Sequence, residues 1–463
     1  MRKMRIRYLI PAITGFAIGF ALLIWWLSPR FVASSPEDGR ISSSGEISLL
    51  FSSPVEAVNI YDVVSISPQT EGELFVDDNV VRFIPSDRLE YGTRYTVTVK
   101  GGLRGTNGVP SFKSHQSVFM VDEPSLVFLK QTAGVVNLWL ASDDQPARQL
   151  TNETNGIWDY NVVADGSGFV VSSVDVDASD DLVFIGLDDT RQILLECMEE
   201  RCRDGRWQPG GSLIAYERQP LRGALNATEV WLLDVETGET WPAHDPVLLS
   251  NAGFDSITSR FPRWSPDSRY LAYFQTEANV IVIQDMIEGI STTIPANLEL
   301  MGEWSPDGSL LAYNETIYSQ ADHNHSDGDT EDTETGAGLL ISHLVIADIK
   351  NGNVTDITVG QPFDYGLPSW NPEGNQLVAG RSIEGAGQQV WLFDLVANQN
   401  WQVTDSGPQS YSALSWSSDG NQVALMKIDL IDSEAEPGIW YLDPVSGDSR
   451  LVAKDGFLPG WLP

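Results

Sequence analysis

The sequence predicts an all-β protein: a β-sandwich followed by a β-propeller of seven blades, closed by one blade shared between both ends of the domain, after a single N-terminal transmembrane helix. Three observations predict it. A Trp-centred phrase recurs through residues 123–463, short alternating runs with regular turns fill 40–122, and an uncharged apolar stretch follows a basic tip at the N-terminus.

Residues 1–28 read as the tip and the helix. Arg2, Lys3, Arg5 and Arg7 supply four positive charges, and Tyr8 to Leu27 carries none. About 20 apolar residues suffice to span a bilayer as a helix. The flanking charges place the N-terminus in the cytoplasm and the bulk outside, and Trp25-Trp26 fits an interfacial belt on the far side. The expected location is therefore the cell membrane, single-pass. A cleavable signal peptide is the competing reading, with small residues at Val32-Ala-Ser-Ser35, but signal cores usually run about 7–15 residues. Residues 29–39, with Pro29 and Pro36, read as a hinge-like linker.

Charge narrows the partners. Residues 31–463 hold 23 Lys+Arg (28 less the five at 1–30) against 64 Asp+Glu, a formal balance of −41. Nucleic-acid binding rests on neutralising phosphates with Lys and Arg, so nucleic acid is excluded as a partner. The charge implies solubility outside the cytoplasm and favours cations or basic partners.

Residues 40–122 run through Glu46–Val55, Val63–Pro68, Val80–Pro85 and Gly92–Val99, short alternating strands separated by turn residues. That is the pattern of a sandwich. Phe51-Ser-Ser-Pro-Val55, Phe83-Ile-Pro85 and Leu89-Glu-Tyr-Gly-Thr-Arg-Tyr-Thr-Val97 resemble the bacterial Ig-like domain of the SbsA type. The resemblance implies a stalk role, and the absence of cysteine there excludes a disulfide between its sheets.

From residue 123 the repeats dictate architecture. Phe261-Pro-Arg-Trp-Ser-Pro-Asp-Ser, Met301-Gly-Glu-Trp-Ser-Pro-Asp-Gly, Leu367-Pro-Ser-Trp-Asn-Pro-Glu-Gly and Ala413-Leu-Ser-Trp-Ser-Ser-Asp-Gly are copies of one phrase, each followed by a short apolar run. Pro, Asp and Gly between two runs are turn chemistry, so each copy is a strand, a tight turn and a strand. Weaker copies centre on Trp207 and Val162. The anchors Val162, Trp207, Trp264, Trp304, Trp370, Trp416 and Trp461 are separated by 45, 57, 40, 66, 46 and 45 residues. A third run in each repeat ends in an acidic turn, as in Val230–Asp234, Val280–Asp285, Leu344–Asp348, Val390–Asp394 and Ile439–Asp443. Four strands per about 45 residues is the size of a propeller blade.

The two ends complement each other. Ser125–Phe128, Asn137–Leu140 and Arg148–Thr151 form later strands with no opening phrase, while Leu458–Pro463 is an opening phrase with nothing after it. Joining them removes exposed sheet edges. The pattern over roughly 124–463 resembles the TolB-type, WD-like propeller repeat, also found in prolyl oligopeptidase-like enzymes. The recurring Trp residues are expected to pack between neighbouring blades.

Three local features stand apart from the repeat. Cys197 and Cys202 share one loop and are expected to form a disulfide in an oxidising compartment. The insertion 322–338 carries His323, His325, Asp327 and Asp329, donors suited to a divalent cation such as Ca2+, but without the EF-hand spacing. Its composition favours a solvated loop, so no cofactor is expected. Asp175–Asp181 is a second acidic cluster, expected to be a solvated turn rather than a calcium site.

No catalytic residue is expected. No Gly-x-Ser-x-Gly occurs, no hydrolase domain follows the propeller, and none of His244, His323, His325 and His343 sits in a zincin or kinase signature. The resemblance implies a non-enzymatic envelope protein that presents loops to a protein or cell-surface polymer. The alternative is an extracellular hydrolase or lyase acting on polysaccharide or peptide through carboxylates of the channel. A third reading is a calcium-stabilised adhesion or surface-layer component.

Overall fold

A computed structural model of the chain describes residues 19, 23–35, 39–41, 46–86, 89–121, 124–141, 147–222, 228–244, 258–297, 301–319, 339–382, 387–432 and 436–462. It divides into two compact units, 1–124 and 125–463.

The first unit holds two four-stranded sheets. One orders Phe31–Ser35, Ile47–Phe51, Val80–Pro85 and Gly72–Asp77; the other orders Arg40–Ile41, His115–Val121, Arg94–Val99 and Val64–Ser67. Alternation decides which side chains enter the core: Ile47, Leu49 and Phe51 from one sheet meet Tyr95, Val97, Val99, Phe119 and Val121 from the other. Burying each such side chain contributes about 1.5–3 kcal/mol.

The expected linker is corrected here. Phe31–Ser35 is a strand paired antiparallel with the segment ending at Phe51, and Phe31 packs edge-on against Phe51 with ring centroids 6.3 Å apart. Its aromatic and β-branched start fits a half-buried edge strand better than a hinge. Residues 23–27 are helical. Among the described residues no helix is long and apolar enough to cross a membrane, and most of the expected span, 1–18 and 20–22, lies outside them.

In the second unit the strands form antiparallel sheets at 157–195, 200–242, 259–295, 303–356, 369–402 and 409–454. The first two are joined by a single parallel bridge, Asp180 to Arg201. A further sheet orders Arg148–Gln149, Val135–Leu140, Leu126–Thr132 and Gly456–Trp461, so the last strand of the chain completes the sheet begun at residue 126.

Buried clusters link each sheet to the next around a circle. Val170 and Leu182 pack with Ile214 and Leu233, Ala215 and Leu232 with Trp264 and Leu271, and Ile281 and Ile283 with Leu311 and Tyr313. The circle continues from Leu344 to Leu377, and from Val390 to Val423. It closes where Ala424 and Ile439 meet Leu126 and Phe128, and where Val127 and Leu129 meet Phe169 and Val171.

The repeated phrase builds the turns. Ser265, Ser305 and Ser417 each donate a hydroxyl to the Asp two residues on, and each accepts the N–H of the residue five on. The Gly closing the phrase is left-handed, φ about 70° at Gly308, Gly374 and Gly420, and Ser268 takes the same conformation in the copy that lacks Gly. The Asp ending each third run accepts backbone N–H groups just beyond it, as Asp348, Asp394 and Asp443 show.

Candidate functional site

Four of the anchor tryptophans bond the neighbouring sheet. Trp264 donates its indole N–H to the Arg206 carbonyl at 2.9 Å, Trp304 to that of Arg263 at 3.1 Å, Trp370 to that of Glu303 at 3.1 Å, and Trp461 to that of Ser415 at 2.9 Å. In each case the acceptor immediately precedes the anchor of the neighbouring sheet. Trp207 instead bonds Gly211 in its own turn, and Trp416 keeps its indole N–H without a partner among the described residues.

Three residues before the anchor lies a feature that the phrase did not announce. Asp204, Phe261, Ala413 and Leu458 all have left-handed backbones, with φ of 48°, 62°, 50° and 49°. Ladder register slips at the same place in each strand, between Arg203 and Arg206, Arg260 and Arg263, Ser412 and Ser415, and Phe457 and Gly460. These are bulges, which bend a strand and redirect its side chains. The strand Ile157–Val162 slips likewise between Ile157 and Tyr160.

Between the sheets at 157–195, 200–242 and 259–295 lies a cavity of about 580 Å³, and the bulged stretches supply much of its wall. Asp159, Asp204 and Glu217 enter it with Arg201, Arg203 and Arg260, beside Trp158 and Phe261. Arg206 donates to Asp204 Oδ1 at 2.7 Å and Arg263 to Asp204 Oδ2 at 2.8 Å, so one carboxylate is held between two guanidiniums. Burial alone would raise the Asp204 carboxyl, but these two arginines hold it well below the usual range.

Its neighbours behave oppositely. Asp159 accepts the Ser172 hydroxyl at 2.6 Å and the Asp204 N–H at 2.9 Å, yet burial and the adjacent Asp204 charge push it up to about 6. Glu217 accepts the Phe261 N–H at 2.8 Å, and burial, then Asp204, pushes it up to about 7. Glu303, on the next strand along the circle, is exposed, but the surrounding protein still raises its carboxyl, against the pull of Arg263 and Arg206.

The other expected residues sit as follows. Cys197 and Cys202 are joined in a disulfide. It lies beside the cavity, because Arg201 and Arg203 flank Cys202. His323, His325, Asp327 and Asp329 lie outside the described residues. Among the described residues no cluster of three or more His, Cys, Asp or Glu could hold a metal ion. Asp175–Asp181 is not wholly a solvated turn: Asp180 is fully buried and ion-paired with Arg203, and Asp181 accepts the Cys197 N–H at 2.7 Å. Asp180 is inside because it supplies the counter-charge to Arg203 on the arginine-rich strand beside it. His343 is buried too, bonded to Asp356 at 2.7 Å and to the Gln361 carbonyl at 2.9 Å.

Sequence reading missed Trp158, Asp159, Asp204, Glu217 and the cavity arginines. Arg201-Cys-Arg-Asp-Gly-Arg206, three arginines in six residues of a strongly acidic chain, was the available signal.

Comparison with known proteins gives a family for the first unit. Residues 27–120 match the bacterial Ig-like domain family, which the first unit therefore represents. The uncharacterized peptidase YuxL of Bacillus subtilis (strain 168) is 25% identical over 203 residues, 38% of this chain and 28% of that protein. The chain thus spans little more than a quarter of the length of this curated relative. Solved structures similar to it include TolB from Acinetobacter baumannii (14% identity, TM-score 0.42, covering 69% of this chain and 79% of that one). An oligogalacturonate lyase from Vibrio parahaemolyticus is also similar (14%, 0.47, 72% and 85%), as is a puromycin-hydrolyzing peptidase of Mycobacterium tuberculosis (12%, 0.48, 72% and 53%). TolB-type β-propeller proteins are thus among the neighbours that cover most of the chain.

Proposed function

We propose that the chain is a membrane-tethered, extracytoplasmic binding scaffold of the cell envelope. Residues 8–27 anchor it, the Ig-like domain is its stalk, and a seven-bladed propeller presents the cavity to a protein or cell-surface polymer without catalysis. The observation that carries this reading is the state of the cavity carboxylates. Asp159, Asp204, Glu217 and Glu277 each accept hydrogen bonds from arginines, a hydroxyl or backbone N–H groups. Among the described residues lining the cavity there is no His or Cys to act as base or nucleophile.

The test is crosslinking and recovery from native membranes with the intact chain. A specific partner retained by the parent and lost with Trp158→Ala supports the scaffold; equal recovery by both places the contact elsewhere. Blotting membrane and soluble fractions checks the anchor, and release of a protein lacking its first thirty residues would contradict it.

The second reading, a hydrolase or lyase on polysaccharide or peptide, is favoured by one observation: Asp159 and Glu217, raised to about 6 and about 7, share a cavity. Turnover of a glycan or peptide that disappears in Glu217→Gln would establish it over the scaffold.

A further inference from the structure

We infer that the cavity recognises a carboxylate-bearing sugar unit, an inference that rests on the scaffold reading and gives its polymer a chemistry. The argument begins with unequal demand for donors and acceptors. Every carboxylate in the cavity is engaged, whereas two of its guanidiniums are not fully used. Arg201 donates to the Ala178 carbonyl at a long 3.4 Å and makes no ion pair among the described residues. Arg260 stands 3.8 Å from Glu217, a loose contact for a pair that shares one cavity wall. A ligand entering here must bring acceptors, and a carboxylate matches the planar guanidinium fork.

The second observation is Trp158. It is 57% exposed, and the Arg203 guanidinium lies 3.7 Å from the centre of its ring. Arg203 is itself fixed by buried Asp180. The indole is thus backed on one face by a fixed cation and open beside the cavity, a rigid platform for the apolar face of a ring. Thr228, Thr276 and Gln219 add hydroxyl and amide groups to the same wall. At about 580 Å³ the space falls within the roughly 300–1,000 Å³ range of small-ligand sites.

Two alternatives fit less well. An extended peptide binds through main-chain hydrogen bonds to an open strand edge, but the edge strands bounding this cavity, Ile157–Val162 and Ser259–Trp264, are each broken by a bulge and offer no continuous ladder. A polyphosphate or nucleic acid meets the chain's net charge of −36, against which two guanidiniums offer little.

The experiment titrates detergent-solubilised full-length protein with a hexuronic-acid trisaccharide, its methyl ester and a glutamate tripeptide, followed by calorimetry and tryptophan fluorescence. The acid is expected to bind at least tenfold tighter than the ester. Arg201→Gln should erase that preference by weakening acid binding at least tenfold, and Trp158→Ala should weaken both sugars. An unchanged melting temperature in Arg201→Gln certifies folding; if it falls, Arg260→Gln serves as the second variant. Equal binding of acid and ester, tighter binding of the peptide, or no binding of any probe at millimolar concentration overturns the inference. In the last case a partner still recovered by crosslinking leaves the scaffold standing, and its loss removes both.

Discussion

The hydroxyl of Tyr160 donates to the carbonyl of Leu458 at 2.7 Å, a contact between residues 298 positions apart. Tyr160 belongs to the first strand of the sheet at 157–195, and Leu458 to the strand that completes the sheet begun at 126. The bond therefore fastens the seam at which the ring closes. Deleting 456–463 should open that seam and lower the melting temperature of the whole second unit. Tyr160→Phe, which removes only the hydroxyl, should cost about 1–2 kcal/mol. Calorimetric melting of both variants is the check, and a truncation that melts with the parent would refute closure.

The anchors allow a paired comparison. Trp304→Phe leaves the partly buried Arg263 carbonyl without its indole donor, whereas Trp416→Phe removes a buried N–H that has no partner among the described residues. Both lose similar packing. Trp304→Phe should therefore cost about 1–2 kcal/mol more than Trp416→Phe, measured by urea denaturation.

Glu217 sets a pH dependence of unusual sign. Its carboxyl rises from 4.5 to about 7 on folding, so between those values the native state binds a proton more tightly than the unfolded chain. Stability falls as pH rises through that window and is flat above it. Glu217→Gln keeps an acceptor for the Phe261 N–H and abolishes the charge. It should gain on the order of 2–3 kcal/mol at pH 8 and nothing at pH 4. Melting at the two pH values reads this directly.

The disulfide closes a short loop. Replacing Cys197 and Cys202 together with Ser should cost about 2 kcal/mol from loop entropy. It should also loosen the strand bearing Arg201 and Arg203, seen as faster amide exchange at residues 200–204 in hydrogen-exchange mass spectrometry. Unchanged exchange there would separate the staple from the cavity wall.

The frame was legible in the sequence because turn chemistry is local. Ser-Pro-Asp-Gly and the acidic ends of the third runs each act within five residues, and their copies repeat. The sandwich strands were legible where they alternate, as at 47–51 and 94–99, but Phe31–Ser35 was not, since Pro and Ser on either side gave it the composition of a linker. The cavity was hidden for a different reason. Asp159, Asp204 and Glu217 are three acids among 64, and only the meeting of three sheets distinguishes them. The Cys197–Cys202 pairing needed nothing long-range and was readable from its spacing.

The left-handed bulges at Asp204, Phe261, Ala413 and Leu458 carry one more implication. A residue standing outside the ladder takes no part in the register that holds its sheet together, so its backbone N–H is free for partners outside the sheet. At Asp204 and Phe261 the freed backbone N–H groups turn instead to Asp159 and Glu217 of the preceding sheet, so the inner wall is tied sheet to sheet by groups the ladder has released. The chemistry of this cavity can therefore be rewritten only by changing facing residues of neighbouring sheets together, while the ladders that assemble the ring stay as they are.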